Sequence, residues 1–310
     1  MAGESATTTE RREAGQDGDR RKAVEARAAS LKGIAVTARR LELAGISTAI
    51  LEGGEGRPIV ALHGPGANAT HWARVMPHLV GANRVIVPDL PGHGESSTGA
   101  GDLTGDRIVA WLGELIEATC EEPPTLVGCA LGGAIAARFA SERGDAIRQL
   151  VLVDALGLRA FAPAPDFGRA LGAFMTDPTT ETHDALWEQC AFDLDGLRER
   201  MGTAWEPFAA YNVERARTPS VQTALGTLMG EFGLPAIGSA DLKRISVPTA
   251  LIWGRHDLAT PLETAEAASA RLGWPLTVIE DCADDPPVEQ PEALAEALRT
   301  ALDRRDEGLA

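Results

Sequence analysis

The stretch TLVGCALGGAIA, Thr125 to Ala136, has the form of a seat for a nucleophile. An apolar run ends at Gly128, a short turn follows, and Gly132-Gly133 opens a helix-forming run. The spacing matches G-x-S-x-G, in which a serine sits on a sharp, strained turn between strand and helix. Here Ala130 stands in the serine position, and a methyl group attacks nothing. Cys129 is the neighbouring substitute, because a thiolate is a strong nucleophile. Successive side chains at a strand end point in opposite directions, however. If Ala130 faces a pocket, Cys129 turns into the packing, where free cysteines are commonly found. The four cysteines form no C-x-x-C pair, and no His/Cys cluster has zinc spacing, so no metal site is expected. The histidines are His63, His71, His78, His93, His183 and His256, and none follows His256.

These residues need a scaffold, and the apolar pattern supplies one. Short runs suited to strands fall at Thr37–Leu43, Ser47–Glu52, Pro58–Leu62, Arg84–Val87, Thr125–Gly128, Leu150–Val153, Pro248–Trp253 and Leu276–Ile279. Helical patterns alternate with them at Trp72–Leu79, Asp106–Cys120, Gly132–Glu142 and Pro291–Leu302. Buried strands alternating with helices predict a mostly parallel sheet flanked on both faces. The first two runs, joined by a turn at Ala44-Gly45, suit an antiparallel edge. Residues 155–240 break the pattern. They are helical and rich in aromatics, including Trp187, Trp205 and Tyr211, and are expected to form an inserted cap combining core packing with a pocket roof. The core is then 32–154 with 241–310. Residues 1–31 form an extension, disordered over about the first 20 residues, with a short helix at Lys22–Leu31.

The net charge is −16, while residues 1–31 hold equal numbers of acidic and basic side chains, so the acidity belongs to the folded part. An acidic surface repels nucleic acid and anionic lipid, and no basic stripe argues otherwise. The polar N-terminus has no apolar signal-like region, and no apolar run reaches the length of a membrane span. The expectation is a cytoplasmic protein with a small-molecule partner and no nucleic-acid or membrane partner. A homodimer is compatible with this composition.

Taken in order, LHGPGANATHW, VIVPDLPGHGES, TLVGCALGGAIAARFA, LVLVDALGL, LIWGRHDLATP and VIEDCADDPPVEQPEAL resemble the α/β-hydrolase superfamily. Within it, the chain is similar to the capped group containing carbon–carbon hydrolases of meta-cleavage products. The resemblance implies an α/β-hydrolase fold with an eight-stranded sheet and an inserted helical cap. It also implies a triad in the chain order Ser, Asp, His. The acid position falls on Asp257, in Gly254-Arg255-His256-Asp257. The position of the base falls on Asp284. Nucleophile and base are therefore both replaced, and the serine–histidine mechanism cannot run. The double replacement favours a natural loss over a single Ser→Ala change. If the family geometry holds, Asp257 and Asp284 face each other, share a proton and form a candidate acid/base pair. The alternative is that Asp284, Asp285 and the prolines after them make a solvated turn. The oxyanion hole is implied at the Leu131 N–H and, because Pro65 has no N–H, at Gly66 or Ala67. His63 belongs to the HG turn and suits a structural role. His183 in the cap could face the pocket, as could Asp285.

Three functions are compatible with these residues. The first is a cofactor-independent, non-hydrolytic enzyme, a cyclase, isomerase or lyase. It would act on a carbonyl-bearing, largely apolar small molecule, in the style of secondary-metabolite chemistry. The second is an inactive, ligand-binding pseudohydrolase. The third is a residual hydrolase using Cys129 or water activated by an aspartate. The first is preferred, because an elbow with an aimed N–H can still bind an oxygen and steer a reaction.

Overall fold

A computed structural model describes residues 27–307, with side chains described to residue 303. The expected disorder over the first residues and the first half of the expected Lys22–Leu31 helix lie outside the described residues. Residues 27–30 are helical.

Eight strands form one sheet. They are β1 (Thr37–Leu43), β2 (Ile46–Gly53), β3 (Arg57–Leu62), β4 (Asn83–Pro88), β5 (Thr125–Cys129), β6 (Gln149–Val153), β7 (Thr249–Gly254) and β8 (Leu276–Ile279). Their spatial order is β1-β2-β4-β3-β5-β6-β7-β8. β1 and β2 pair antiparallel, as do β2 and β4, while the remaining pairs are parallel. The β1–β2 turn at Ala44 and Gly45 has positive φ at both residues, 48° and 71°, as a two-residue hairpin matched to strand twist requires. Every residue of β5, β6 and β7 is buried, because helices cover both faces of a parallel sheet.

The helices bounding the sheet include α1 (Gly105–Thr119) and α2 (Leu131–Arg143). Between β6 and β7 run α3 (Pro165–Thr176), α4 (Thr180–Cys190), α5 (Leu194–Met201), α6 (Trp205–Arg217) and α7 (Pro219–Leu228). The first four of these helices build a second apolar cluster around Phe167, Phe174, Trp187, Trp205 and Phe208, while Ala224 and Leu228 of α7 join the main core. After β7 come α8 (Glu263–Leu272) and α9 (Pro291–Glu307). No helix among the described residues is long and apolar enough to cross a membrane.

One local difference from the expected elements matters for chemistry. The helix expected over Trp72–Leu79 is instead a 3₁₀ turn at Ala69–Trp72 and a separate helical turn at Met76–Leu79. The Asn68 side chain caps the first turn, accepting from Thr70 N–H at 3.0 Å and from Thr70 Oγ1 at 2.8 Å. The second turn starts afresh around Pro77, which cannot donate to a continuing helix.

The junction of β5 and α2 is the tightest point of the fold. Ala130 has φ 45° and ψ −110°, a conformation that a residue with a Cβ holds only at a cost. The glycines around it leave no room for side chains. A Cβ on Gly128 would lie 2.4 Å from Gly132 O, and one on Gly133 would lie 2.5 Å from the Ala155 Cβ. Gly132 N–H donates to His63 O at 3.2 Å, tying the helix start to the end of β3. Ala130→Gly is expected to stabilise the protein by about 1 kcal/mol, since strain relief exceeds the entropy cost of glycine. Urea unfolding midpoints of the two proteins check this, and a lower midpoint for the glycine variant would contradict the strain argument.

Candidate active site

A cavity of about 390 Å³ lies where the loops after β3, β5, β6 and β8 meet the helices between β6 and β7. This is the carboxyl edge of the sheet, where open α/β sheets bind ligands. Leu171, Phe174, Leu186, Trp187 and Leu225 contribute an apolar wall, and Ala130 forms part of the floor.

The elbow backbone offers the cavity a fixed donor. Leu131 is the first residue of α2, so its N–H has no acceptor within the helix. The opposite loop comes close, since a Cβ on Gly64 would meet the Ala130 Cβ at 3.5 Å. Ala67 N–H closes a turn onto Gly64 O at 3.4 Å, whereas Gly66 N–H has no acceptor among the described residues. Gly66 also borders the cavity, with φ 68°. Gly66 N–H therefore borders the cavity, and Leu131 N–H opens α2 directly after Ala130 on its floor.

Asp154, Asp257, Asp284 and Asp285 gather beside this donor pair, and Asp154 is the member that the motifs did not mark. Asp154 follows β6 in a left-handed conformation, φ 43°, and is fully buried. Its Oδ1 accepts from Gly254 N–H at 2.8 Å. Burial, then the charge of Asp257, pushes its carboxyl well above the ordinary range. Asp257 Oδ1 accepts from Ala259 N–H at 2.7 Å and Thr260 N–H at 2.8 Å, and the Thr260 hydroxyl donates to Oδ2. Burial pushes Asp257 up to about 6, against the pull of these donors. Burial and the neighbouring Asp257 charge thus favour the neutral form of Asp154, whose Oδ2 has no hydrogen-bond partner among the described residues.

Of the expected pair, Asp257 lies off the cavity wall, and its charge is the largest one acting on Asp284. Asp257 accepts from Ala259 and Thr260, and Asp154, rather than Asp257, borders the cavity. Asp284 does border it. Burial, then the charges of Asp257 and Asp285, pushes the Asp284 carboxyl well above the ordinary range. Its backbone is pinned by an N–H bond to Cys190 O at 3.1 Å. The 282–289 loop is shaped from below by Glu289, which accepts from Ala283 N–H at 3.0 Å and Phe192 N–H at 2.7 Å.

Asp285 carries a further feature that no spacing suggested. Its Oδ2 lies 3.0 Å from His71 Nδ1, and both residues border the cavity. His71 comes from the 3₁₀ turn after β3, 214 positions away in sequence. A second bond across the same seam, Arg74 to Val288 O at 2.7 Å, holds the two loops together.

The remaining expected residues separate cleanly. Cys129 is 3% exposed and touches the cavity, but burial, then Asp285 and Asp154, pushes its thiol well above the ordinary range. A thiol held in that form is a poor nucleophile. His183 and Trp187 border the cavity. Asn212 Nδ2 lies 3.4 Å from His183 Nε2, and burial lowers the imidazole pKa to about 4, so this histidine is neutral. Trp205 stands behind, edge-on to Trp187 at 5.6 Å, rather than on the cavity wall. Tyr211 is also off the wall, buried toward Asp89 and Arg27. His63 is structural. It contacts Gly64 O through Nδ1 at 2.8 Å and accepts from Leu90 N–H through Nε2 at 2.9 Å, so both ring nitrogens are engaged below the elbow.

Residues 59–297 match the family described as "Alpha/beta hydrolase family". The chain belongs to that family. It is similar to 2-hydroxy-6-oxo-2,4-heptadienoate hydrolase of Pseudomonas putida, 29% identical over 73% of this chain and 82% of that protein. It is also 26% identical to 2-hydroxy-6-oxo-6-(2'-aminophenyl)hexa-2,4-dienoic acid hydrolase of Metapseudomonas resinovorans, over 86% and 91% of the two chains. Pimeloyl-[acyl-carrier protein] methyl ester esterase of Chromobacterium violaceum is 32% identical over 67% of this chain and 79% of that protein. Among solved structures, the meta-cleavage product hydrolase CumD of Pseudomonas fluorescens superposes with a TM-score of 0.71 at 24% identity, covering 86% of this chain and 97% of that one. That likeness concerns the fold.

The buried carboxyls make a signed prediction about pH. Asp284 is raised in the folded state, so folding takes up its proton. The stability this contributes is complete below the unfolded value near pH ~4 and is lost as pH rises toward the folded value. Asp284→Asn removes that linkage. Its stability should fall less steeply between pH 5.5 and 7.5 than that of the wild type, by up to about 1.4 kcal/mol per pH unit. Parallel slopes in urea titrations at several pH values would show that Asp284 ionises as freely in the folded state as in the unfolded chain.

Proposed function

We propose that the protein is a cofactor-independent enzyme that moves protons on a carbonyl-bearing, largely apolar small molecule without forming an acyl-enzyme. The carrying observation is Ala130, which retains the strained elbow and its free Leu131 N–H while removing the nucleophile. The elbow then serves as a template for an oxygen. A carbonyl seated between Leu131 and Gly66 N–H is polarised, and its enolate is stabilised there. Asp284, held protonated on the cavity wall, can donate to a second oxygen of the ligand. Isomerisation, aldol-type cyclisation and retro-aldol-type lyase chemistry at a carbonyl share such an enolate. The apolar wall selects an aromatic or alicyclic body.

The relatives named for 2-hydroxy-6-oxo-dienoates act on compounds with a carbonyl conjugated to a dienol. Compounds of that class are therefore sensible probes. With 2-hydroxy-6-oxo-6-phenylhexa-2,4-dienoate, hydrolysis at the ketone would release benzoate, and the expected outcome is none. With 2-tetralone in D₂O, the protein is expected to speed deuterium entry at the carbons beside the carbonyl, followed by proton NMR. Catalytic benzoate release would overturn the non-hydrolytic reading. Tight binding of either compound with no exchange would favour a ligand-binding pseudohydrolase instead.

A further inference from the structure

We propose that His71 is the base of this site and that Asp285 orients it. The inference rests on the reading of the cavity as a proton-transfer site and names the group that takes the proton. The position after β8 where the family carries its histidine is occupied here by Asp284, so a base supplied from that loop is missing. The structure supplies one from the opposite side. His71 is 7% exposed and sits on a short turn held by the Asn68 cap. Its Nδ1 faces the Asp285 carboxylate at 3.0 Å. A carboxylate accepts and cannot donate, so Nδ1 carries a proton, and in the neutral imidazole Nε2 then presents its lone pair. Nε2 is buried and has no hydrogen-bond partner among the described residues. A buried ring nitrogen without a partner calls for an explanation, and here it belongs to a residue on the cavity wall. The Phe208 ring, 5.2 Å away, helps fix the plane of the imidazole. The arrangement is a carboxylate–imidazole pair of the kind that serves a serine in hydrolases, with the serine absent and the substrate as the proton source.

The step balances without a further reactant. His71 Nε2 takes the proton from the carbon beside the carbonyl. The C–H electron pair becomes the C=C bond of an enolate, and the carbonyl π pair moves onto oxygen, held by Leu131 and Gly66 N–H. The imidazolium returns a proton, or a deuteron after exchange with solvent, to the same or a conjugated carbon. Asp285 acts through His71 and is a positioning residue.

The test uses the full chain. In 2-tetralone exchange, His71→Gln should lower kcat by about 100-fold or more with KM little changed, and added imidazole should partly restore exchange in His71→Gly. Asp285→Asn should lower kcat in the same way while KM stays near wild type. Circular dichroism and urea midpoints establish that the variants fold. A second measurement does not depend on turnover. In ¹⁵N NMR of the wild type, the His71 Nδ1 should be protonated and Nε2 bare, and titration with 2-naphthol, an aromatic enol, should move the Nε2 resonance. Wild-type exchange in His71→Gln would overturn the assignment. So would a proton resting on Nε2 with Nδ1 bare, or an Nε2 resonance indifferent to naphthol. Absence of exchange in the wild type together with a responsive Nε2 would defeat the functional reading while leaving His71 as the group that meets the ligand's acidic proton.

Discussion

Too much negative charge for the available solvation is the constraint around which the carboxyl edge is organised. Asp154, Asp257, Asp284, Asp285 and Glu289 interact electrostatically in one water-poor corner. Buried carboxylates cannot all ionise there, and each must be neutralised, hydrogen-bonded or paired. The structure uses all three answers. Burial and neighbouring charge push Asp154 and Asp284 toward their protonated forms. Asp257 collects the Ala259 and Thr260 amides. Glu289 turns the loop by collecting backbone N–H groups, and Asp285 finds an imidazole. The identity of each donor therefore follows from what its carboxyl would otherwise cost.

The elbow shows the same economy of means from the side of backbone strain. Ala130 keeps the left-handed turn although no side chain there reacts. The strain is held in place by surroundings that admit no alternative. Gly128, Gly132 and Gly133 are packed too closely for any Cβ, and the start of α2 is bonded to the end of β3. A fold that has committed so many contacts to one turn retains the turn's N–H donor when the nucleophile is gone. Binding and polarising an oxygen depend on that donor, whereas acyl transfer depends also on a side chain at position 130.

The sheet was legible in the sequence because its signal is local. Runs such as QLVLV and TALIWG are short, apolar and bounded by turn residues, and strands formed within a residue or two of them. The elbow was legible because its glycines stand at fixed spacing. The Trp72–Leu79 segment read as one helix because its apolar periodicity is real. What divides it is the Asn68 cap upstream and Pro77 within it, and the cap outweighs periodicity over so short a span. Asp154 carried a faint signal, an acidic residue directly after a buried strand at the ligand-binding edge. His71 carried none. The motif directs attention to the loop after β8, and the structure meets that loop with a side chain from the other end of the chain.

That encounter depends on topology more than on either residue alone. The segments after β3 and β8 leave the same edge of a sheet in which β3 and β8 are separated by β5, β6 and β7. A histidine on one segment and a carboxylate on the other can meet only where both loops run back across the carboxyl ends of those strands. The Arg74–Val288 bond shows them doing so next to the His71–Asp285 contact. Ligand-facing positions on any loop at this edge are therefore interchangeable in space while remaining fixed in sequence. An imidazole can move between loops without disturbing the strands beneath it, and the acid partner need only be present where the imidazole arrives. Asp285, adjacent to the position where the family carries its base, meets that condition.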